Sequence, residues 1–288
     1  MSETGKLVLV GTPIGNLGDL APRAVAALRD ATVIAAEDTR RTRALLSHAG
    51  IRAGNRLRSV HGHNERARGP ELVELVRAGA CVAYVTDAGM PGISDPGEQL
   101  VRLCVDAGLP VEVVPGPSAA LTALVVSGLP TERFVFEGFL PRKGRARAER
   151  LDAIATETRT VVCFEAPARV AATITDLAGA CGPDRQVAIA RELTKLHEEV
   201  WRGSLAAAAT YVTGSEPRGE YVVVLAPAPV AAVAEVDDAT LHAAIDDALA
   251  GGASARDAAA MVAGRLGVPR RRAYDAAAAR RPRGRPAP

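Results

Sequence analysis

No stretch of this chain approaches the ~20 uninterrupted apolar residues that a membrane-spanning helix needs, although apolar residues fill 48% of its 288 positions. A membrane span is not expected, and the same composition is ample for real cores. The opening residues Met1-Ser-Glu-Thr-Gly5 carry no signal-peptide pattern. Cysteine is sparse: Cys81, Cys104, Cys163 and Cys181 are widely spaced, three of them in apolar segments. No pair has zinc or redox-motif spacing, so they read as reduced core residues of a cytoplasmic protein. No metal is expected either, because His61-Gly-His-Asn64 has no third ligand of obvious spacing and reads as part of a polar loop at 52–68. The dinucleotide fingerprint is missing, since Gly11, Gly15 and Gly18 do not fit G-x-G-x-x-G, and no Gly-Lys-Ser/Thr marks a phosphate loop. The usual nucleotide folds are thereby disfavoured.

Net charge is also nearly absent, at +2, but it is unevenly placed. Arg142, Lys143, Arg145, Arg147 and Arg150 cluster against Glu149 alone. Arg265, Arg270, Arg271, Arg272, Arg280, Arg281, Arg283 and Arg285 crowd the C-terminus against Asp275. Two readings stand, solvated faces or contacts to a polyanion, and the unevenness favours the second.

What the chain does have is a series of apolar strands that run into glycine-rich loops. Cys81-Val-Ala-Tyr-Val85 leads into Thr86-Asp-Ala-Gly-Met-Pro-Gly-Ile-Ser-Asp-Pro-Gly97 and then a helix from Glu98. Leu7–Val10 leads into Gly11-Thr-Pro-Ile-Gly-Asn-Leu-Gly-Asp19, with Asp19 as expected cap and Pro22 in the first turn of a helix. Val111–Val114 leads into Pro115-Gly-Pro-Ser118 and an apolar helix that Ser118 can cap. Such junctions are where open α/β sheets bind ligands. An ordinary turn, with Asp95 as a helix cap, is the plainer account of the 86–97 loop taken alone. Thr32–Ala36 ends in Glu37-Asp-Thr-Arg40, with Thr39 as expected cap; these charges mark either a water-filled cleft or a salt-bridged helix start.

Strands near 134–139, 160–165, 186–192, 198–201 and 220–226 follow in the second half and predict a mixed sheet, with a basic helix at 142–150. Ala226–Ala234 reads as a linker. The tail carries helices near Asp237–Leu249, from Ser254 to Leu266, and at Arg270–Arg281, with a Ser254/Asp257 capping pair and a Gly267-Val-Pro269 turn. This pattern is either a helix-turn-helix or a small helical cap. The expected fold is α/β: a parallel-sheet domain at 1–116, a mixed-sheet domain at 117–228, and a small helical tail at 236–282.

Taken in order, Thr12–Asp19, Ala36–Arg40, Thr86–Gly97, Pro115–Ala119, Glu137-Gly-Phe-Leu-Pro141 and Ala190-Arg-Glu-Leu-Thr-Lys195 resemble the bacterial small-subunit rRNA ribose 2′-O-methyltransferase I family of the tetrapyrrole methylase superfamily. The resemblance spans about residues 6–280. It implies a cleft between the two α/β domains that binds S-adenosyl-L-methionine, a homodimer, and a cytidine in the decoding region of 16S rRNA, free or in the small ribosomal subunit, as substrate. Carried over by motif, the cofactor residues are Pro13, Gly15, Asp87, Ala88, Gly89, Ser94, Pro117, Ser118, Ala119, Glu165, Leu193 and Thr194. Contacts to RNA fall to Arg40, Arg142, Lys143, Arg145, Arg147, Arg270, Arg271 and Arg272. Asp38 and Lys195 are the candidates for chemistry, Asp38 as a carboxylate near the reacting hydroxyl and Lys195 either as a cation for phosphate or as a neutral amine that takes the proton. A salt bridge across the domain interface is the alternative for both. The family's aromatic-Glu-Ser-x-His-Arg pattern reads Phe164-Glu-Ala-Pro-Ala-Arg169 here, so neither that serine nor that histidine is essential to chemistry in this chain. A tetrapyrrole or other small-molecule methyltransferase, and a ligand-sensing helix-turn-helix protein, are the competing functions. The basic clusters argue against the first, and the polar strand ends at 37–40 and 192–195 against the second.

Overall fold

Five short strands of the N-terminal half form one parallel sheet. The computed structural model describes residues 5–214, 217–229 and 236–280. Strands β1 (Lys6–Val10), β2 (Val33–Ala36), β3 (Leu57–Ser59), β4 (Cys81–Val85) and β5 (Val111–Val114) run in the order β3-β2-β4-β1-β5, with each neighbouring pair parallel. Side chains alternate between the two faces of a strand, and each set meets its own pair of helices. Val8, Val10, Ile34 and Ala83 pack with Leu28 of α1 (Pro22–Asp30) and Leu46 of α2 (Thr39–His48). Leu7, Val33, Val82 and Tyr84 pack with Leu72 and Val76 of α3 (Glu65–Arg77) and Leu100 of α4 (Glu98–Asp106). Burial on both faces is why these strands read as unbroken apolar runs.

The second sheet contains β6 (Phe134–Phe139), β7 (Thr160–Glu165), β8 (Gln186–Arg191), β9 (Glu199–Ser204) and β10 (Tyr221–Leu225) in the order β6-β7-β10-β8-β9. It is mixed, as expected: β6 and β7 are parallel and the other pairs antiparallel. One face packs on α6 (Arg145–Thr156), α7 (Pro167–Cys181) and α8 (Leu205–Thr213) through Ile154, Ile174 and Leu205. The other face receives Ala120, Ala123 and Leu124 of α5 (Ala119–Val126) together with Ile14 from the loop after β1. That shared cluster ties the two sheets into one compact unit, which ends at Ala228.

A second unit begins at Pro229. Its described part is a three-helix cluster of α9 (Asp238–Ala250), α10 (Ala255–Leu266) and α11 (Arg270–Ala278), packed through Leu241, Ile245, Val262, Ala273 and Ala277. The Ser254 hydroxyl donates to Asp257 at 2.6 Å and accepts from its amide at 3.2 Å, the capping pair expected from sequence. Most of the expected linker, together with Arg281, Arg283 and Arg285, lies outside the described residues.

Several boundaries differ from the sequence reading. The polar loop at 52–68 contains the edge strand β3 and the start of α3; three residues at a sheet edge leave no readable pattern. Asp19 ends a short 3₁₀ turn, and Ala21 precedes α1 without a side-chain cap. Asp38, not Thr39, caps α2. Gly97, at φ +131°, rather than Asp95, precedes α4. Ser118 stands at the N-cap of α5 but makes no capping bond. The basic helix begins at Arg145, so Arg142 and Lys143 lie in the preceding turn.

The missing cap of α4 is supplied from a distance. Glu65, buried at the start of α3, accepts from the amides of Gly97 and Leu100, both at 3.0 Å on one carboxylate oxygen. This carboxylate satisfies two orphan donors of a helix N-terminus and complements its dipole. It also fixes where the 86–97 loop ends. Glu65→Ala is expected to lower folding stability by about 2 kcal/mol, read as a drop in the urea midpoint. An unchanged midpoint would show that the two amides find other partners.

Candidate functional site

The strand order brings the loops after β1, β4 and β5 side by side at the carboxyl edge of the first sheet. Thr12 and Gly89 exchange two backbone hydrogen bonds, Thr12 N to Gly89 O at 2.9 Å and Gly89 N to Thr12 O at 3.1 Å. Gly11 and Gly116 touch backbone to backbone; a Cβ on Gly11 would lie 2.5 Å from the Gly116 nitrogen. Opposite these loops stand Phe139 of β6, Phe164 and Glu165 of β7, and Tyr221 and Val222 of β10, and together they enclose a cavity of about 380 Å³. Phe164 makes edge-on contacts with Phe136 and Phe139, giving this wall an apolar, aromatic character. Ser94 lines the same cavity in a left-handed conformation, φ +61°, a conformation that non-glycine residues adopt at a cost and that clusters at functional sites.

A second cavity of about 360 Å³ lies between the first loop, α2 and Lys195. Ile14, Arg41, Asp87, Ala88 and Glu220 border both cavities. The Asp87 Oδ2 pairs with Arg41 at 3.4 Å, whereas its buried Oδ1 has no partner among the described residues.

The walls are acidic. Glu37, Asp87, Asp95 and Glu220 all line the first cavity, with Arg41 as its one cation among the described residues. Burial pushes the Asp95 carboxyl up to about 7, and the charges of Glu37, Asp87 and Glu220 push in the same direction. Burial also raises Glu37, against the opposing hydrogen bond from the Asp87 amide at 3.2 Å. Such crowding of carboxylates is unfavourable in an empty fold and suits a cationic occupant.

Of the residues singled out from sequence, Asp87, Ala88, Gly89, Ser94, Ser118, Ala119 and Glu165 line the first cavity. Pro13, Gly15 and Lys195 line the second. Leu193 is a core residue that packs with Ile14 and Ala120. Thr194 accepts from the Asn16 amide at 3.1 Å, and a Cβ on Gly15 would lie 2.4 Å from the Lys195 side chain. These residues close the first loop against the 192–195 turn. Pro117 lines neither cavity but presents its carbonyl beside Gly89. Glu165 is fully engaged: it accepts from Thr173 at 2.6 Å, the Ala166 amide at 2.8 Å and Arg169 at 3.1 Å.

Two expectations, for Asp38 and Arg147, need correction, and of the two roles read for Lys195 the cation is the one its ion pairs favour. Asp38 borders neither cavity; it caps α2, and its hydrogen bonds from Arg40 hold its carboxyl down to about 2, too acidic to take a proton efficiently. Lys195 is not a neutral amine. Burial alone would lower it, but Glu192 at 2.8 Å and Glu220 at 2.9 Å outweigh that and hold it above its ordinary value. Arg147 cannot reach RNA phosphates: it is buried, donating to Asp176, Thr173 and the Pro141 carbonyl. Arg272 is also largely committed, to Asp238 and the Val236 carbonyl. Arg142, Lys143 and Arg145 are exposed, as are Arg270 and Arg271. Arg40 is exposed but paired with Asp38 at 3.0 Å. Sequence reasoning left Arg41, Thr86, Asp95 and Glu220 out of the site. Arg41 sits one residue outside a motif that was read, Glu220 opens the strand read at 220–226, and Thr86 and Asp95 lie inside a motif but were passed over.

The chain matches the family model "Tetrapyrrole (Corrin/Porphyrin) Methylases" over residues 6–209. It is 48% identical over 275 residues to "Ribosomal RNA small subunit methyltransferase I" of Mycobacterium tuberculosis, covering 95% of each chain. It is 45% identical over 270 residues to the protein of the same name from Synechocystis sp., covering 94% of this chain and 96% of that one. Among solved structures, the uroporphyrin-III C-methyltransferase of Thermus thermophilus complexed with S-adenosylhomocysteine aligns with TM-score 0.55 and 24% identity, over 77% of this chain and 97% of that chain. Two sheets, a loop-lined cleft at the edge of the first and these matches agree: the chain belongs to the tetrapyrrole methylase family, within its ribosomal RNA small subunit methyltransferase I group.

Proposed function

We propose that this protein transfers a methyl group from S-adenosyl-L-methionine to the ribose 2′-hydroxyl of a cytidine in the decoding region of 16S rRNA, acting in the cytoplasm as a homodimer. The observation that carries the reading is the acidic, loop-lined cleft with two adjoining cavities. A volume of about 380 Å³ falls within the range of small-molecule sites. The residues present fit the cofactor. Backbone of the 87–89 and 118–119 loops approaches one side, Phe139 and Phe164 give an apolar wall for a base, and the unpaired Asp87 Oδ1 offers an acceptor. Glu37, Asp87, Asp95 and Glu220 complement a positive charge. When bound, the cofactor supplies an activated methyl group on a cationic sulfonium. The protein's own task is then alignment in a dry cleft, worth several kcal/mol of barrier.

The names of the relatives favour RNA over a tetrapyrrole as substrate. So does the exposed basic turn Arg142-Lys143-Gly-Arg145. Arg145 is paired with Glu149 at 2.6 Å, but both are exposed, and surface pairs of this kind yield readily to a phosphate. Leu121 and Val125, four residues apart on α5 and 50% and 74% exposed, support the homodimer. No helix among the described residues is long and apolar enough to cross a membrane.

The direct test is incubation with labelled S-adenosylmethionine and small ribosomal subunits, followed by nucleoside digestion; label on 2′-O-methylcytidine is expected. Label on a small molecule, or on no RNA at all, would overturn the reading.

Asp87→Ala is expected to weaken cofactor binding at least ~10-fold, about 1.4 kcal/mol. Unchanged calorimetric affinity in a folded variant would remove Asp87 from the site.

Asp95 gives a pH signature. Its folded value of about 7 lies above the usual 3.8, so the fold holds this proton where the unfolded chain has released it. Its contribution to stability is therefore lost as pH rises from about 4 to about 7. The ionised form above about 7 favours the cation, so S-adenosylmethionine affinity should rise between pH 6 and 8. The rise should be smaller in Asp95→Asn; an identical profile would assign it elsewhere.

Replacing Arg142, Lys143 and Arg145 together by Ala should reduce the salt slope of RNA binding by about 2, at ~0.7–0.9 per lost phosphate contact, with cofactor affinity intact. An unchanged slope would leave the turn as a solvated surface.

A further inference from the structure

We propose that α11 of the helical tail is a stacking platform for an unpaired stretch of the RNA substrate: Tyr274 takes the face of a base, and Arg270 and Arg271 beside it take the flanking phosphates. This rests on the RNA-methylation reading above and adds a second place of contact, on the unit that begins at Pro229.

Helix α11 buries one side only. Ala273, Ala276 and Ala277 pack into the tail's core with Ile245 and Val262. At about 3.6 residues per turn, that phase leaves Arg270, Arg271, Tyr274 and Ala278 outside, and all four are exposed. Tyr274 follows Arg270 by four residues and Arg271 by three, so the three side chains are neighbours on one helix surface. Tyr274 is 51% exposed and takes no part in the tail's core. The other arginines of this helix and its end are spoken for: Arg272 donates to Asp238 at 2.8 Å and to the Val236 carbonyl at 2.7 Å, and Arg280 pairs with Asp246. The guanidinium groups of Arg270 and Arg271 have no hydrogen bond or ion pair among the described residues. Helix stability does not account for them. The first turn of α11 holds no acidic residue, and arginines there stand at the positive end of the helix dipole.

An exposed ring between two unpaired cations suits a single strand. Every base offers a face to the ring, and the guanidinium groups follow the backbone. A duplex is the poorer occupant, because its base faces are covered by stacking and the major groove of A-form RNA is too narrow for side chains to read. The helix-turn-helix order of the tail then serves to present one helix surface, not to enter a groove. A second copy of this surface is excluded by charge, since it would set unpaired arginines against one another. A contact on a linked unit raises the effective concentration of the substrate at the enzyme, so it acts on capture of the RNA and not on the chemical step.

The test uses the full chain as wild type, Tyr274→Ala, Tyr274→Trp, and Arg270→Ala with Arg271→Ala together. Urea midpoints and calorimetric affinity for S-adenosylhomocysteine are measured first, and both should stay at wild-type values. Binding is then followed over a range of salt to an RNA single strand of about 12 nucleotides, within the usual site sizes, and to a duplex of the same length. Tyr274→Ala should lose at least ~10-fold in affinity for the single strand, with its salt slope and the duplex affinity unchanged, and Tyr274→Trp should restore the loss. The double arginine variant should lower the single-strand salt slope by about 1.4, at ~0.7 per phosphate contact. With small ribosomal subunits, Tyr274→Ala should raise the subunit concentration needed for half-maximal single-turnover transfer and leave the saturated rate alone. Wild-type single-strand affinity in Tyr274→Ala would overturn the proposal. So would an equal loss on the duplex, or a Tyr274→Trp variant as weak as Tyr274→Ala, since either removes stacking as the cause. Wild-type protein that methylates no RNA would overturn the functional reading instead, and the oligonucleotide arm would still decide the role of α11.

Discussion

The two backbone hydrogen bonds between Thr12 and Gly89 are the contact on which the site depends. They exist because β1 and β4 are neighbours in the sheet although 75 residues separate Lys6 from Cys81 in the chain. Parallel pairing brings the loops after both strands to the same edge, and the reversal of strand order at that point opens a crevice between them. The loops after β1 and β4 take their places in the cleft from this junction, Ile14 on one side, Asp87 and Ala88 on the other. The backbone contact of Gly11 with Gly116 adds the third loop at a distance that no side chain would allow.

Charge is partitioned in a way that net charge conceals. The cleft gathers Glu37, Asp87, Asp95 and Glu220, whereas Arg142, Lys143 and Arg145 of the 142–145 turn are exposed. A cation is welcome inside and a polyanion outside. These are opposite demands, and a near-neutral chain meets both only by keeping the two signs apart in space. Lys195 sits at the boundary, tied to Glu192 and Glu220, and its attachment there keeps the 192–195 turn against Gly15.

The architecture was legible because parallel strands announce themselves as apolar runs bounded by glycine and proline, and the loop motifs between them are long. The parallel and mixed sheets and the capping pair Ser254/Asp257 all followed from such local signals. The edge strand β3 gave none, being three residues with one partner. Individual roles were less legible than elements. Arg147 looks in sequence like its neighbours Arg142 and Arg145, and only helix phase turns it inward onto Asp176 and Thr173. Asp38 reads as a free carboxylate until its backbone position makes it a cap.

The order of strands in the second sheet has a consequence for synthesis. β10 is the last of the five to leave the ribosome, yet it lies in the middle, between β7 and β8. Until Tyr221–Leu225 has emerged, β7 and β8 have no neighbour to join them, and the Tyr221 and Val222 wall of the cleft does not exist. Until then the loops of the first sheet, which ends at Val114, lack that part of the facing wall. The last wall of the site waits for the strand that is made last.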